Sequence, residues 1–310
     1  MSKPKIGIAL GGGGAWGWAH IGVIETLADL GVVPDIVAGT SMGAVVGAAF
    51  VSHRLEALHA AADGLGRREV VAMLDLKIAT GGLIEGTRIE AFLTRLGISG
   101  LVEDCDLPFA TVATELTGGR EIWVRSGPIE KAVRASIGIP GLFAPMPFGD
   151  SWVLDGGLVN PVPVSVCRAL GADLVIAVDV IPELSARRFI RNGGRPASEA
   201  TNELAKTLLE RAPAALRAPL APLLQGLLRP SPPAPGYFSV LTDALFIGHR
   251  RIIDLQLASD PPDVLLHPEL GDVQPMEFHR AREAIAAGRL CAERAKEDIL
   301  ALGRPHASPG

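Results

Sequence analysis

Gly39-Thr40-Ser41-Met42-Gly43 fits the pattern G-x-S-x-G. In that pattern a serine sits on a sharp strand-to-helix turn, with its hydroxyl projecting from the end of a sheet. Five residues alone are a weak signal in a glycine-rich chain, and a glycine-lined helix start capped by Ser41 is the plainer alternative. The flanks favour a nucleophile. An apolar run, Ile36-Val37-Ala38, precedes the pattern, and a small-residue run through Ala44, Val45, Val46 and Ala48 follows it. Gly39 and Gly43 relieve the crowding that so tight a turn creates.

A second glycine cluster, Gly11 to Gly14 with Gly17 beyond it, also ends an apolar run, Lys5 to Leu10. Gly12-Gly13-Gly14-Ala15-Trp16-Gly17 reads as G-x-G-x-x-G, which invites a dinucleotide-binding loop. That use needs an acid at the end of the second strand to hold a ribose. Asp35 precedes the strand instead, and Gly39-Thr40-Ser41 occupy its end. A P-loop is excluded because no G-K-[ST] follows. The two glycine clusters explain each other better. Consecutive strands of a βαβ unit lie parallel and close together, so both loops emerge at one sheet edge. Backbone N–H groups of Gly12, Gly13 and Gly14 are then expected to point at a carbonyl attacked by Ser41, as an oxyanion hole.

Serine needs a base. His249, His267 and His279 lie downstream, as the order Ser…Asp…His of α/β-hydrolases requires. Yet only 38 residues precede Gly39, too few for the strands that fold places before its nucleophile. Most of these histidines read as surface or helix-end residues rather than catalysts. Asp155, in Trp152-Val153-Leu154-Asp155-Gly156-Gly157, is the better partner. It ends an apolar strand, and Gly156 and Gly157 let the backbone turn sharply after it. A carboxylate near its reference pKa of about 3.9 is a poor base for a hydroxyl, so burial must raise it. A plain Asp-Gly turn is the alternative, and Asp179, ending the next strand, is the competing acid.

These loops need elements to carry them. Apolar runs at Phe109–Ala113, Glu121–Arg125, Trp152–Leu154, Leu174–Val178 and Val264–Leu266 read as further strands. Ile21, Ile24, Leu27 and Leu30 keep helical spacing up to Gly31. Strands alternating with helices predict an α/β fold, a three-layer α/β/α sandwich with a largely parallel central sheet. Residues 1–183 are expected to form the core. A basic, Leu- and Pro-rich insertion follows at 184–238, and a C-terminal helix–strand–helix at 239–310 completes the fold, its last helix running from about Pro275 to Leu300.

The chain has 310 residues, 48% of them hydrophobic and 20% charged, with a formal charge of −5. That composition suits a large globular core and lacks the basic footprint of a nucleic-acid binder, so no nucleic-acid partner is expected. Between Arg187 and Arg229, however, eight basic against three acidic residues give a local charge of +5 amid nine leucines. A surface insertion is the plainer reading; docking on an anionic membrane surface is the alternative. Cys105, Cys167 and Cys291 are odd in number and far apart, so neither a disulfide framework nor a cysteine metal site is expected. With no signal-like apolar core at the start and no run of about 20 apolar residues, the expectation is a cytoplasmic protein.

In this order, Gly12-Gly13-Gly14-Ala15-Trp16-Gly17, Gly39-Thr40-Ser41-Met42-Gly43 and Asp155-Gly156-Gly157 resemble the patatin-like phospholipases. The similarity extends through Ala19-His20-Ile21-Gly22-Val23, Arg134 to Gly141, Asn160-Pro161-Val162-Pro163 and Pro261-Pro262-Asp263. It is nearest to short bacterial members similar to the esterase module of neuropathy target esterase. The resemblance implies a Ser–Asp dyad without histidine, hydrolysing phospholipid, lysophospholipid or other fatty acyl esters, with no cofactor or metal. Ser41 then matches the nucleophile, Asp155 the base and the glycine loop the oxyanion hole. One departure stands out: the family's loop usually carries Arg or Lys where this chain has Trp16. An indole has a single N–H donor and no charge. Activity is expected to persist through the backbone donors, with altered substrate choice. The alternative is an inactive, lipid-binding or regulatory homologue.

Overall fold

Ile6–Leu10 forms β1 and Ile36–Thr40 forms β2, both buried at every position. Continuous apolar runs of this kind fit strands covered on both faces. In the computed structural model, which describes residues 3–73, 76–79, 82–182 and 237–302, α1 (Ala19–Asp29) joins these two strands. After β2 come α2 (Met42–Val51), α3 (Leu55–Asp63), α4 (Arg67–Met73), a hairpin of β3 (Leu76–Ala79) and β4 (Gly82–Ile84), and α5 (Thr87–Arg95). Next are β5 (Phe109–Glu115), β6 (Glu121–Val124), α6 (Ile129–Ser136), β7 (Met146–Phe148), β8 (Ser151–Asp155), α7 (Val164–Ala169) and β9 (Leu174–Val178). The C-terminal part holds α8 (Tyr237–Ser259), β10 (Val264–Leu266), α9 (Ala281–Arg294) and α10 (Lys296–Ala301). The Arg187–Arg229 stretch, and with it nearly all of the expected insertion, lies outside the described residues.

Among the described residues the central sheet has eight strands in the order β10-β9-β1-β2-β5-β8-β7, with β6 also paired to β5. Five of them, β10, β9, β1, β2 and β5, run parallel, as the strand–helix alternation predicts. The other end differs: β6 and β8 each pair antiparallel with β5, and β7 pairs antiparallel with β8, so the sheet is mixed. Short connections enforce the β5–β6 and β7–β8 pairings, since a crossover to a parallel neighbour takes a dozen or more residues. Only Gly149 and Asp150 link β7 to β8, with Gly149 at φ +57°.

Helices cover both faces. Gly7 on β1 packs against Cys167 of α7, whereas Gly47 of α2 packs against Leu10, Val37 and Phe109. Gly7 and Leu10 point to opposite faces of a strand with period 2, so α7 and α2 occupy opposite sides. The expected final helix is shorter at its start and divided, with Ala295 separating α9 from α10. Among the described residues no helix is long and apolar enough to cross a membrane.

One detail of register positions the site. Strand β2 pairs with residues 109–112 of β5, β8 pairs with 113–115, and β6 pairs with 111–114. A strand has two edges and β6 overlaps both others, so β2 and β8 share one edge of β5 end to end. Thr40 lies opposite Val112 and Asp155 opposite Ala113. The two strands run toward each other and their carboxyl ends meet.

Candidate active site

Ser41 is the single residue between β2 and α2, with φ 53° and ψ −120°. Only Ser41 and His53 among described non-glycine residues have positive φ. Such a conformation costs on the order of 1–3 kcal/mol and persists where surrounding structure imposes it. Here the imposing contacts are backbone. A Cβ on Gly43 would collide with Leu10 O, and one on Gly39 would sit 2.5 Å from Gly43 O. Helix α2 therefore starts pressed against β1 and β2, and the chain turns within one residue.

Where the two strand ends meet, the Ser41 hydroxyl donates to Asp155 Oδ2 at 2.7 Å. Both residues are buried, Ser41 at 6% and Asp155 at 2% exposure. Asp155 Oδ1 accepts from the Gly157 N–H at 2.8 Å, which fixes the carboxylate plane. Burial pushes the Asp155 carboxyl up to about 6, against the opposing hydrogen bonds from Ser41 and Gly157. That value lies where a carboxylate both accepts and returns a proton near neutral pH.

Further hydroxyls hold the frame. Ser136, at the end of α6, accepts from the Ser41 N–H at 2.8 Å, and Thr40 donates to Asn160 O at 2.8 Å. Thr114 donates to Asp155 O at 2.7 Å. Sequence reasoning missed the roles of Ser136, Thr40 and Thr114. Single small polar residues carry no pattern of their own, although Ser136 lies inside the Arg134–Gly141 motif.

The glycine loop lies beside the serine, and a Cβ on Gly12 would be 3.2 Å from the Ser41 Cβ. Its N–H groups are not equivalent, which corrects the expectation that three donors face one oxygen. Gly12 donates to Pro161 O at 2.9 Å. The N–H groups of Gly13 and Gly14 have no protein acceptor among the described residues. Gly17 abuts Met42, and Gly156 packs on Val112 O of β5, so both serve close approach. His20 donates through Nε2 to Gly11 O at 2.7 Å, and burial lowers its imidazole to about 4. A neutral ring thus anchors the loop's start.

Trp16 spends its one donor away from Ser41 and Asp155. Its indole N–H donates to Val273 O at 2.7 Å, its ring lies 4.9 Å from that of Phe246, and the Ala15 N–H donates to Pro275 O. It fastens the loop to the 273–275 segment. Asp179, the competing acid, does not reach Ser41; it binds Arg250, with His267 at 3.5 Å and the Ile181 N–H on its other oxygen. Burial alone would raise its carboxyl, but the His267 hydrogen bond and the Arg250 charge hold it below the ordinary value. His249, half-buried on α8, has both its ring nitrogens shielded from solvent beside Gly157.

Residues 8–168 match the family model described as patatin-like phospholipase. An "Uncharacterized NTE family protein" of Mycobacterium tuberculosis is 31% identical over 96% of this chain and 92% of its own length. Patatin-like phospholipase domain-containing protein 7 of Rattus norvegicus is 33% identical over 58% of this chain, which corresponds to 14% of that protein. Among solved structures, VipD from Legionella pneumophila aligns with TM-score 0.46 and 13% identity, over 96% of this chain and 67% of that one.

Proposed function

Because the chain belongs to the patatin-like phospholipase family, we propose that it is a serine acyl-ester hydrolase acting on phospholipid, lysophospholipid or other fatty acyl esters. The observation that carries this reading is the 2.7 Å hydrogen bond from Ser41 Oγ to a buried Asp155. Asp155 takes the Ser41 proton as Oγ attacks the ester carbonyl. The developing oxyanion is met by the Gly13 and Gly14 N–H groups, whose donors have no other acceptor among the described residues, and by the positive end of α2, which begins at Met42. Collapse of the tetrahedral species breaks the bond to the alcohol, which leaves with the proton held on Asp155. Water then attacks the acyl-enzyme: its proton goes to Asp155, and Ser41 Oγ recovers that proton as the fatty acid departs.

Trp16 does not weaken this reading. Oxyanion stabilisation by backbone donors needs no cation in the loop, and the indole is occupied in holding those donors in position. The test is labelling by a fluorophosphonate probe and release of fatty acid from lysophospholipid by wild type, Ser41→Ala and Asp155→Asn. Labelling and turnover are expected in wild type alone. Equal labelling of Ser41→Ala would refute the nucleophile, and full activity of Asp155→Asn would refute the base.

A further inference from the structure

Helix α8 lies across the loops that carry the site. Phe246 rests on Trp16, Arg250 binds Asp179, and Gln256 donates to Val159 O. One turn from Phe246 and edge-on to its ring at 5.7 Å, His249 turns inward against Gly157. Both its ring nitrogens are shielded from solvent and have no hydrogen-bond partner among the described residues. Buried polar side-chain atoms are seldom left in that state, and a neutral imidazole has one donor and one acceptor to satisfy. Burial lowers the ring to about 4, so it stays uncharged at neutral pH.

The neighbour of this unspent imidazole is the proposed base. A Cβ added to Gly157 would lie 3.0 Å from Asp155 Oδ1 and 3.1 Å from His249 Nε2. Those two atoms are therefore at most about 6 Å apart, against about 5.6 Å for the longest gap that one oxygen hydrogen-bonded at about 2.8 Å to each can bridge. Any side chain at 157 would push into the imidazole, 2.7 Å away at Cε1.

We propose that His249 positions the hydrolytic water. The unprotonated ring nitrogen accepts one hydrogen bond from the water while Asp155 takes the other proton. The water oxygen bonds to the acyl carbon, the bond from that carbon to Ser41 Oγ breaks, and Asp155 returns the proton to Oγ. The inference rests on the acyl-hydrolase reading and assigns His249 to deacylation alone.

The experiment follows the two half-reactions separately in His249→Leu and His249→Gln, using a fluorophosphonate for attack by Ser41 and p-nitrophenyl butyrate for turnover. For His249→Leu, labelling is expected within about twofold of wild type. The kcat is expected to fall on the order of tenfold behind a stoichiometric burst of nitrophenolate, the size of one lost hydrogen bond to the reacting water. Its Tm is expected to stay or rise, since two unpaired polar atoms leave the interior, and His249→Gln is expected to recover part of the rate. Wild-type kcat without a burst in His249→Leu overturns the proposal. So does parallel loss of labelling and turnover in both variants, or a Tm drop in both, which marks the imidazole as structural. Absence of Ser41-dependent labelling in the wild type instead sinks the acyl-hydrolase reading and takes this inference with it.

Discussion

Asp155→Asn separates the energetic cost of the proposed base from its chemistry. Burial raises the carboxyl from 3.8 to about 6, so the fold binds this proton more tightly than the unfolded chain does. The stability associated with the protonated form is complete below about pH 3.8 and is lost as pH rises through 6. Above that window the ionised group costs about 3 kcal/mol, from about 1.4 kcal/mol for each tenfold gain in proton affinity. Asparagine is close in shape and never ionises. The stability of Asp155→Asn minus that of wild type is expected to grow by about 1.5 kcal/mol between pH 5 and pH 8. For a chain of 310 residues that corresponds to about 2 °C in Tm. Thermal or denaturant unfolding across that range measures the difference, and any pH-independent effect of the substitution cancels. In the same interval wild-type kcat/KM is expected to climb and level off with an apparent pKa of about 6, because only the carboxylate accepts the Ser41 proton. A stability gap that stays constant with pH would refute the account of Asp155 as a group raised by burial.

Two other substitutions probe how the site is held. Trp16→Phe keeps the ring contact with Phe246 but strips Val273 O of its donor; an unpaired buried carbonyl costs about 1–3 kcal/mol. Its expected signature is a lower Tm with kcat reduced more than KM is raised, because the Gly13 and Gly14 donors lose their fixed position; unchanged kcat would exclude an anchoring role. Arg250→Met leaves the 2%-exposed Asp179 without its main counter-charge. Breaking a buried pair from one side costs about 3–5 kcal/mol. Calorimetry at pH 8 is expected to register that loss, and a drop under about 1 kcal/mol would show that His267 alone suffices.

Much of this arrangement was legible from residues, for definite physical reasons. Buried parallel strands announce themselves as unbroken apolar runs, so β1, β2, β5 and β9 were readable, and the glycines after them marked the loops. Ser41 and Asp155 were legible because each lies between an apolar strand and small residues that permit a tight turn. The antiparallel end of the sheet was not. A hairpin as short as Gly149-Asp150 carries little pattern, and β7 spans only three residues. Trp16, Gly12 and His249 show another limit. A residue's type tells what it can donate, whereas its partner decides what is left to give. Gly12 spends its N–H on Pro161 and Trp16 spends its own on Val273, while His249, unremarkable as one histidine in a helix, has no partner for either ring nitrogen among the described residues.

The pairing of Ser41 with Asp155 follows from strand register more than from loop design. Their 114-residue separation is closed because β2 and β8 arrive from opposite directions on one edge of β5, with Thr40 and Asp155 opposite consecutive residues of that strand. Any shift of β8 by one residue would turn Asp155 to the other face of the sheet, and a shift of two would carry it beyond hydrogen-bonding reach. The register is pinned close to the site, by the Asp155 N–H on Gly138 O and by Thr114 on Asp155 O. A base positioned by a sheet has little freedom to reorient, which suits a dyad in which one carboxylate handles every proton transfer. The same construction would let the loop carry tryptophan where a basic residue was expected. Where the proposed nucleophile, base and oxyanion donors are all fixed by backbone contacts, a side chain in the glycine loop is free to change from a charge into an anchor.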